Sequence, residues 1–395
     1  MTSLTLVFGI FFTLSCSTLS LTNESAESLY EDGKYQRALS SVNKFLEENP
    51  DHVENKILKA QILREITLEE QNPSDRKPYY QNFKNVLDEV RFTTEDYQAR
   101  TDSILVNAWS FEQSEGVRYL QEDDTDTYEI HFDRIIAHLE NASTIIPDSL
   151  NTYNLKATTF YRHGDTQKAI STLENAENNG VTLTPESQEK IAFLYLESGN
   201  LGKSIEIYKE LVNQYSDNQE YRHGLINALI LNEDHEEAVT LLKDLSDEYP
   251  NRDEYVEALA SEQFFQVSQE IDELATGEIT KEIVTEFVTK LEEIGELFQG
   301  IDSDRPANED HQLRIASFYT DAGIKISSLT EYSEEELMEE ISSHAEDFHR
   351  YSLPYWRQLT ESYPENRDYF QKLYETYQLL EMQEEAEMLE QQINF

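Results

Sequence analysis

Chemistry needs titratable or nucleophilic side chains at a fixed spacing, and this sequence holds few such groupings. His131 and His138 bracket Asp133, and a helix would place the two histidines, seven residues apart, on one face. Zinc ligation from a helix wants histidines four apart and a third ligand from elsewhere. The two therefore read as surface histidines beside an acidic loop, and His344 and His349, five apart, fit a metal no better. That loop, Glu122-Asp-Asp-Thr-Asp126 followed by Glu129, gathers carboxylates as a calcium loop does. It lacks the central glycine and the bidentate glutamate at the twelfth place. No GxSxG, P-loop, HExxH or CxxC pattern occurs, and paired carboxylates carry no information among 79 acidic residues. The expectation is a protein that is not an enzyme, with no catalytic residues, no metal and no cofactor.

Cys16 is the only cysteine in the chain, so it has no disulfide partner within it. It follows an apolar run from Leu4 to Leu14, about the length of a signal-peptide core and too short to span a bilayer as a helix. Thr13-Leu14-Ser15-Cys16 resembles the lipobox of bacterial lipoproteins, although leucine stands at the second place before the cysteine and no Lys or Arg precedes the run. The resemblance implies a signal peptide over 1–15, lipid on Cys16 and a polar tether over 16–28. Two or three acyl chains anchor a protein stably where one is marginal. Ser17 is not the aspartate that holds many lipoproteins at the inner membrane. The resemblance thus implies an outer-membrane lipoprotein facing the periplasm, the alternative being a soluble periplasmic or secreted protein. Asn23-Glu-Ser and Asn141-Ala-Ser match glycosylation acceptors, which matter only in a eukaryotic secretory chain.

Seventy-nine acidic against 31 basic residues give a formal net charge of −48, which excludes nucleic-acid binding through a basic stripe. The acids are spread along the chain, as on a solvated surface. Steering of a basic partner is the competing reading. Only 12 glycines and 9 prolines, with abundant Glu, Leu, Ala and Tyr, favour helices over strands or disorder.

These helices must repeat. Ala157-Thr-Thr-Phe160 is followed by Gly164 and Ala169, Ala192-Phe-Leu-Tyr195 by Gly199 and Ser204, and Ala316-Ser-Phe-Tyr319 by Gly323. Leu29-Tyr30 leads through Gly33, Tyr35 and Ala38 to Phe45 and Asn49-Pro50. Repeat starts fall near 150, 185, 219 and 253, and Tyr249-Pro-Asn-Arg-Asp-Glu-Tyr255 is nearly copied by Tyr363-Pro-Glu-Asn-Arg-Asp-Tyr369. Small residues such as Ala38, Ala157, Ala169, Ala192 and Ala238 suit close-packed backbones, while Phe160, Leu173, Tyr195 and Tyr208 fill the layer to the next unit. Gly33, Gly164 and Gly199 suit turns with positive φ, and Pro50, Pro147, Pro250 and Pro364 stop helices.

The pattern resembles the tetratricopeptide repeat. It implies an all-α, TPR-like α-solenoid of about eight antiparallel helix pairs, several with lengthened helices or loop insertions. We expect an array over 29–252, with inserted loops near 69–77 and 122–127, and irregular pairs with a charged capping helix over 253–395. The pair 253–300 is expected to break near Thr276-Gly277. An insertion near Thr330 to Arg350 is expected to lengthen the region between helices, with Pro354 starting or kinking one.

By resemblance, the first helix of each pair lines a binding wall. That assigns Asn154, Thr158, Tyr161 and Arg162 from one repeat, and Glu189, Phe193 and Leu196 from the next. His223, Asn227 and Ile230 follow, then Glu257, Ser261 and Phe264. Aromatics, amides and few charges suit a protein or peptide partner. The function implied is a membrane-anchored, non-catalytic adaptor or scaffold in the cell envelope. The alternative is an envelope binding protein for a small molecule, glycan or peptide cargo beside a transporter.

Overall fold

A helical hairpin needs a turn that reverses the chain and a seam where two backbones can approach, and both recur here. The first helix of several pairs starts on a side-chain cap. Ser25, Thr94, Ser149 and Asn218 each accept a hydrogen bond from the backbone N–H three residues on. The turn into the second helix passes through a left-handed residue, Gly33, Gly164 or Gly199, with φ of 71°, 84° and 76°. Glu233 and Glu381 take the same conformation without glycine, at φ 64° and 55°. The second helices of four pairs end alike, at Asn49, Tyr215, Tyr249 and Tyr363, with ψ between 62° and 66°. At the last three, that tyrosine meets another six residues on at ring centroids of 6.0, 6.0 and 6.1 Å. This explains the near-copied junction segments.

The computed structural model describes residues 25–121, 125–274, 279–301 and 308–393. The leader, Cys16, Glu122 to Asp124 and Thr276-Gly277 lie outside them. Among the described residues eighteen α-helices form nine consecutive pairs without a strand, against a count of about eight from sequence. The chain divides into two compact units, the first ending at Ser187 and the second beginning at Gln188.

The first unit holds α1 (Ala26–Glu31) with α2 (Tyr35–Glu48), then α3 (Val53–Glu69) with α4 (Lys77–Arg91). A 3₁₀ turn at Pro73–Asp75 occupies the expected insertion between α3 and α4. Next come α5 (Glu95–Leu120) with α6 (Thr125–Ile145), and α7 (Leu150–Arg162) with α8 (Thr166–Asn178). Tyr80, Phe83, Leu87, Leu105 and Ala108 form the centre of its core. Trp109 of α5 donates through Nε1 to Thr152 Oγ1 of α7 at 3.0 Å, fixing one pair on the next.

The second unit holds most of α9 (Pro185–Glu197) with α10 (Leu201–Gln214), and α11 (Gln219–Leu231) with α12 (His235–Glu248). It continues with α13 (Asp253–Leu274) and α14 (Lys281–Gly300), α15 (Glu309–Ser328) and α16 (Glu335–Ser362), and α17 (Arg367–Leu379) and α18 (Gln383–Ile393). Ala192 and Ala238 are fully buried, as are Ala38, Ala157 and Ala169 in the first unit. Ser204 takes the same small-residue place and donates to the Ala192 carbonyl at 2.9 Å, so its hydroxyl costs the seam nothing. At Gly224 a Cβ would stand 2.2 Å from the Tyr208 ring, so α11 and α10 meet only because no side chain intervenes.

Between α15 and α16 the structure corrects the sequence reading. No insertion reaches to Arg350: a short 3₁₀ turn, Leu329–Tyr332, leads into a 28-residue helix that carries Pro354 in its interior. Proline in a helix interior costs roughly 3 kcal/mol, partly through the lost bond to the carbonyl four residues before. Here that residue is Arg350, which is exposed and open to water. Burial of Phe348, Ser352 and Trp356 on either side of the proline holds the helix together.

Left-handed backbone costs a non-glycine residue about 1–2 kcal/mol. Glu233→Gly should therefore raise stability by about 1 kcal/mol and Gly199→Ala should lower it by a similar amount, read as shifts in the urea midpoint. A neutral Gly199→Ala would show that the turn does not depend on its left-handed residue.

Candidate functional site

The densest cluster of titratable side chains surrounds Glu112, on α5 and wholly buried. Arg76, at the start of α4, donates through Nη1 to its Oε1 at 3.0 Å, and the Tyr80 hydroxyl donates to the same oxygen at 2.7 Å. His138 Nδ1 lies 2.6 Å from Oε2, and Asn141 Nδ2 reaches that oxygen at 3.4 Å. Arg76 also donates Nε and Nη2 to the Glu70 carbonyl at 2.8 and 2.7 Å, and Asn141 donates to the Pro73 carbonyl at 2.9 Å. The inserted turn is thus bolted onto α5 and α6. Burial alone pushes the Glu112 carboxyl up. Hydrogen bonds from His138 and Tyr80, with the charges of His138 and Arg76, outweigh it and hold the group below the ordinary glutamate range.

His138 is therefore buried, not a surface histidine, because the long α5 covers it. His131 and His138 both pack on the Tyr119 ring, at centroid distances of 4.7 and 6.3 Å. Asn141 is 1% exposed with its amide engaged, so the acceptor motif there is closed to a glycosyltransferase. His349 is buried as well, packed on Gly323, and burial lowers its pKa. Sequence reasoning missed the Glu112 cluster because its members are far apart in the chain and each alone resembles a surface residue.

The proposed wall residues divide between the units. In the first, Asn154 donates to Ser187 Oγ at 2.9 Å, Thr158 bonds back to the Asn154 carbonyl, and Arg162 donates to the Leu120 carbonyl at 2.6 Å. Tyr161 is half-buried on the same helix. In the second, Leu196 and Ile230 pack against the core, and Phe264 meets Phe318 edge-on at 5.3 Å. Phe193 is half-buried. Glu189 is half-buried too, its carboxyl pushed up by burial and then by Glu220. His223 shares a 2.7 Å hydrogen bond with the Tyr255 hydroxyl, and burial, then the Arg252 charge, holds its pKa down. Glu257 binds His311 Nδ1 at 2.8 Å. Asn227 and Ser261 are exposed on α11 and α13. Much of the set therefore braces neighbouring helices, leaving a mostly neutral face.

The first helices of the three leading pairs also share a recess of about 280 Å³, lined by Tyr30, Gln61, Arg64, Glu65, Ile104 and Asn107. None of these was singled out from sequence, since the repeat signal is weaker there than over 150–252. In the second unit the α11–α12 turn and α13 frame an acidic cleft of about 590 Å³, where Glu233, Asp234, Glu236 and Glu237 face Glu270 and Glu273.

A tetratricopeptide-repeat family model matches residues 195–262, from the end of α9 into α13. That stretch carries the repeat. No curated protein sequence matches the chain. Among solved structures, a thermophilic TPR protein of Thermus thermophilus is similar at 21% identity, covering 52% of this chain and 95% of its own, with a TM-score of 0.28. PilF of Pseudomonas aeruginosa is similar at 12% identity, with 67% and 96% covered and a TM-score of 0.38. A tetratricopeptide repeat protein of Parabacteroides merdae shows 11% identity, 79% and 98% coverage and a TM-score of 0.33.

Removing one partner of a buried ion pair costs roughly 3–5 kcal/mol, so Glu112→Gln should destabilise the first unit by about that much at pH 7. Glu112 titrates lower in the folded chain than in the unfolded one. Its contribution is therefore complete above the unfolded value of 4.5 and fades as pH falls through the folded one. The stability gap between wild type and variant, measured by urea unfolding across pH, should close only in that acid range. A gap that stays constant down to the lowest pH would show that the carboxylate charge is not what holds the turn.

Proposed function

We propose that this chain is an exported, lipid-anchored adaptor that binds a protein partner across the first-helix faces of its repeats, at the periplasmic side of a bacterial outer membrane. The observation that carries the reading is the division of labour within each pair. Small buried residues lock the hairpins, while the first helices keep polar side chains such as Gln61, Asn107, Asn227 and Ser261 at the surface. Tetratricopeptide repeats generally act as non-catalytic protein-binding modules, and the matched stretch lies within this array. No described helix is long and apolar enough to cross a membrane, so the anchor assigned is lipid on Cys16, at the end of the apolar leader. Recognition is the whole mechanism: stiff hairpins present a preformed surface, which lowers the ordering cost of binding.

The test is in-cell crosslinking of the full-length chain against a Cys16→Ser form, with incorporation of labelled fatty acid followed on both. Wild type should take up label, fractionate with membranes and capture a defined set of envelope proteins. The variant should lose label and membrane association while purified protein still binds the captured partner. An unlabelled wild type would remove the anchor, and binding of a small glycan or other cargo in place of any protein would overturn the adaptor.

A further inference from the structure

Gly224 in α11, Gly295 in α14 and Gly323 in α15 stand inside helices without left-handed backbone, so turn geometry does not explain them. Glycine is among the weakest helix formers, and a helix interior normally avoids it. At each of the three an added Cβ would run into a ring from another helix: Tyr208 at Gly224, Tyr319 at Gly295 and His349 at Gly323. At Gly323 it would lie 2.5 Å from Cε1, 2.7 Å from Nδ1 and 2.8 Å from Nε2, so the part of the imidazole that holds both nitrogens rests on the glycine. Burial pushes the Tyr208 phenol up and that of Tyr319 up to about 12, so both of those rings are neutral in acid and at neutrality. Among the three seated rings, only the imidazole can gain a charge in the acid range.

The seat has nothing to receive that charge. His349 is 3% exposed, its Nδ1 is buried without a partner, and no described residue bonds its Nε2. Whichever nitrogen carries the hydrogen of the neutral ring, the imidazolium has a buried N–H at Nδ1 with no acceptor, which is costly. No carboxylate offsets it. On α16 itself Glu346 is taken by Arg350, and Asp347 is exposed. On α15, Asp321 responds to Lys372 of α17 and to Lys325, Lys325 holds Asp272 of α13, and His311 is bonded to Glu257. Glu296 of α14 acts on Tyr319, and Glu331 of the 3₁₀ turn is exposed. Burial alone acts on His349, and it lowers the pKa. We propose that His349 is an acid-released latch on the α15–α16 hairpin: the neutral ring closes over Gly323, and its protonation drives the ring from that seat and opens the seam locally. The opening reaches α13, because Phe318 of α15 meets Phe264 edge-on at 5.3 Å and His311 of α15 holds Glu257 at 2.8 Å. The latch does not depend on what the α13 face binds. A histidine held neutral in the fold takes up a proton more readily once unfolded. The seam is therefore at full strength above the unfolded value of 6.5 and weakens as pH falls from there through the folded value.

Hydrogen exchange on the full chain, corrected for the intrinsic pH dependence of amide exchange, reads the latch between about pH 7.5 and about pH 5.5. Over that interval, protection in 313–326 and 341–359 should fall about threefold to tenfold more in wild type than in His349→Phe or His349→Gln. Equal loss in wild type and both variants would overturn the latch. So would acid loss spread evenly over the second unit in place of a focus on this hairpin. A proton NMR titration of the His349 ring in wild type needs no variant to fold, and it should give a midpoint below 6.5. A midpoint at or above 6.5 would show that the seat accommodates the charge, and the proposal would fall.

Discussion

Everything in this molecule depends on two helix backbones coming close enough that only a methyl group or a serine fits between them. Ala38, Ala157, Ala169, Ala192, Ala238 and Ser204 hold those positions, all fully buried. A hairpin closed so tightly encloses little apolar area of its own. Its larger side chains point outward to the next pair, which is why Tyr208 of α10 lies against Gly224 of α11 and Trp109 of α5 bonds Thr152 of α7. Each pair is completed by its neighbour, the energetic signature of repeat architecture. A seam that excludes long side chains also pushes the polar ones to the outer faces of the first helices, so the constraint that builds the fold creates the surface available for binding.

Where the pairs lengthen, a different interaction takes over. At the α3–α4 insertion the chain builds a buried charge cluster in which Glu112 of the long α5 receives donors from Arg76, Tyr80, His138 and Asn141. Such a cluster is stabilising only when complete, because desolvation costs several kcal/mol per ion. It specifies where the insertion docks more than it strengthens the core. In the second unit, helix length is accommodated by aromatic packing instead: Phe264, Phe298 and Tyr319 all converge on Phe318.

The fold was legible wherever a short-range rule set the structure. The starts at 150, 185, 219 and 253 coincide with α7, α9, α11 and α13, because capping residues and turn glycines act within a few positions. Glu233 and Glu381 were not legible as left-handed turns, since a glutamate carries no such signal and tertiary packing imposes the conformation. Pro354 lies inside α16 and does not start it, because burial of Phe348 and Trp356 on either side carries the helix through. The binding surface was legible only as a face. Which of its side chains stay exposed depends on partners dozens of residues away: Glu257 is taken by His311 and Arg162 by Leu120, while Asn107 and Asn227 are exposed.

The acidity of the chain then acquires a structural meaning. Several of its scarce cations bridge neighbouring helices: Lys77 and Lys156 both hold Glu140, Lys290 holds Glu270, Lys325 holds Asp272, and Arg100 grips Glu54 with two bonds. With 79 acidic against 31 basic residues, the net negative charge keeps copies of the chain apart. At physiological salt such a field fades within about 8 Å. A partner that has reached the surface therefore responds to the groups it touches and not to the distant carboxylates.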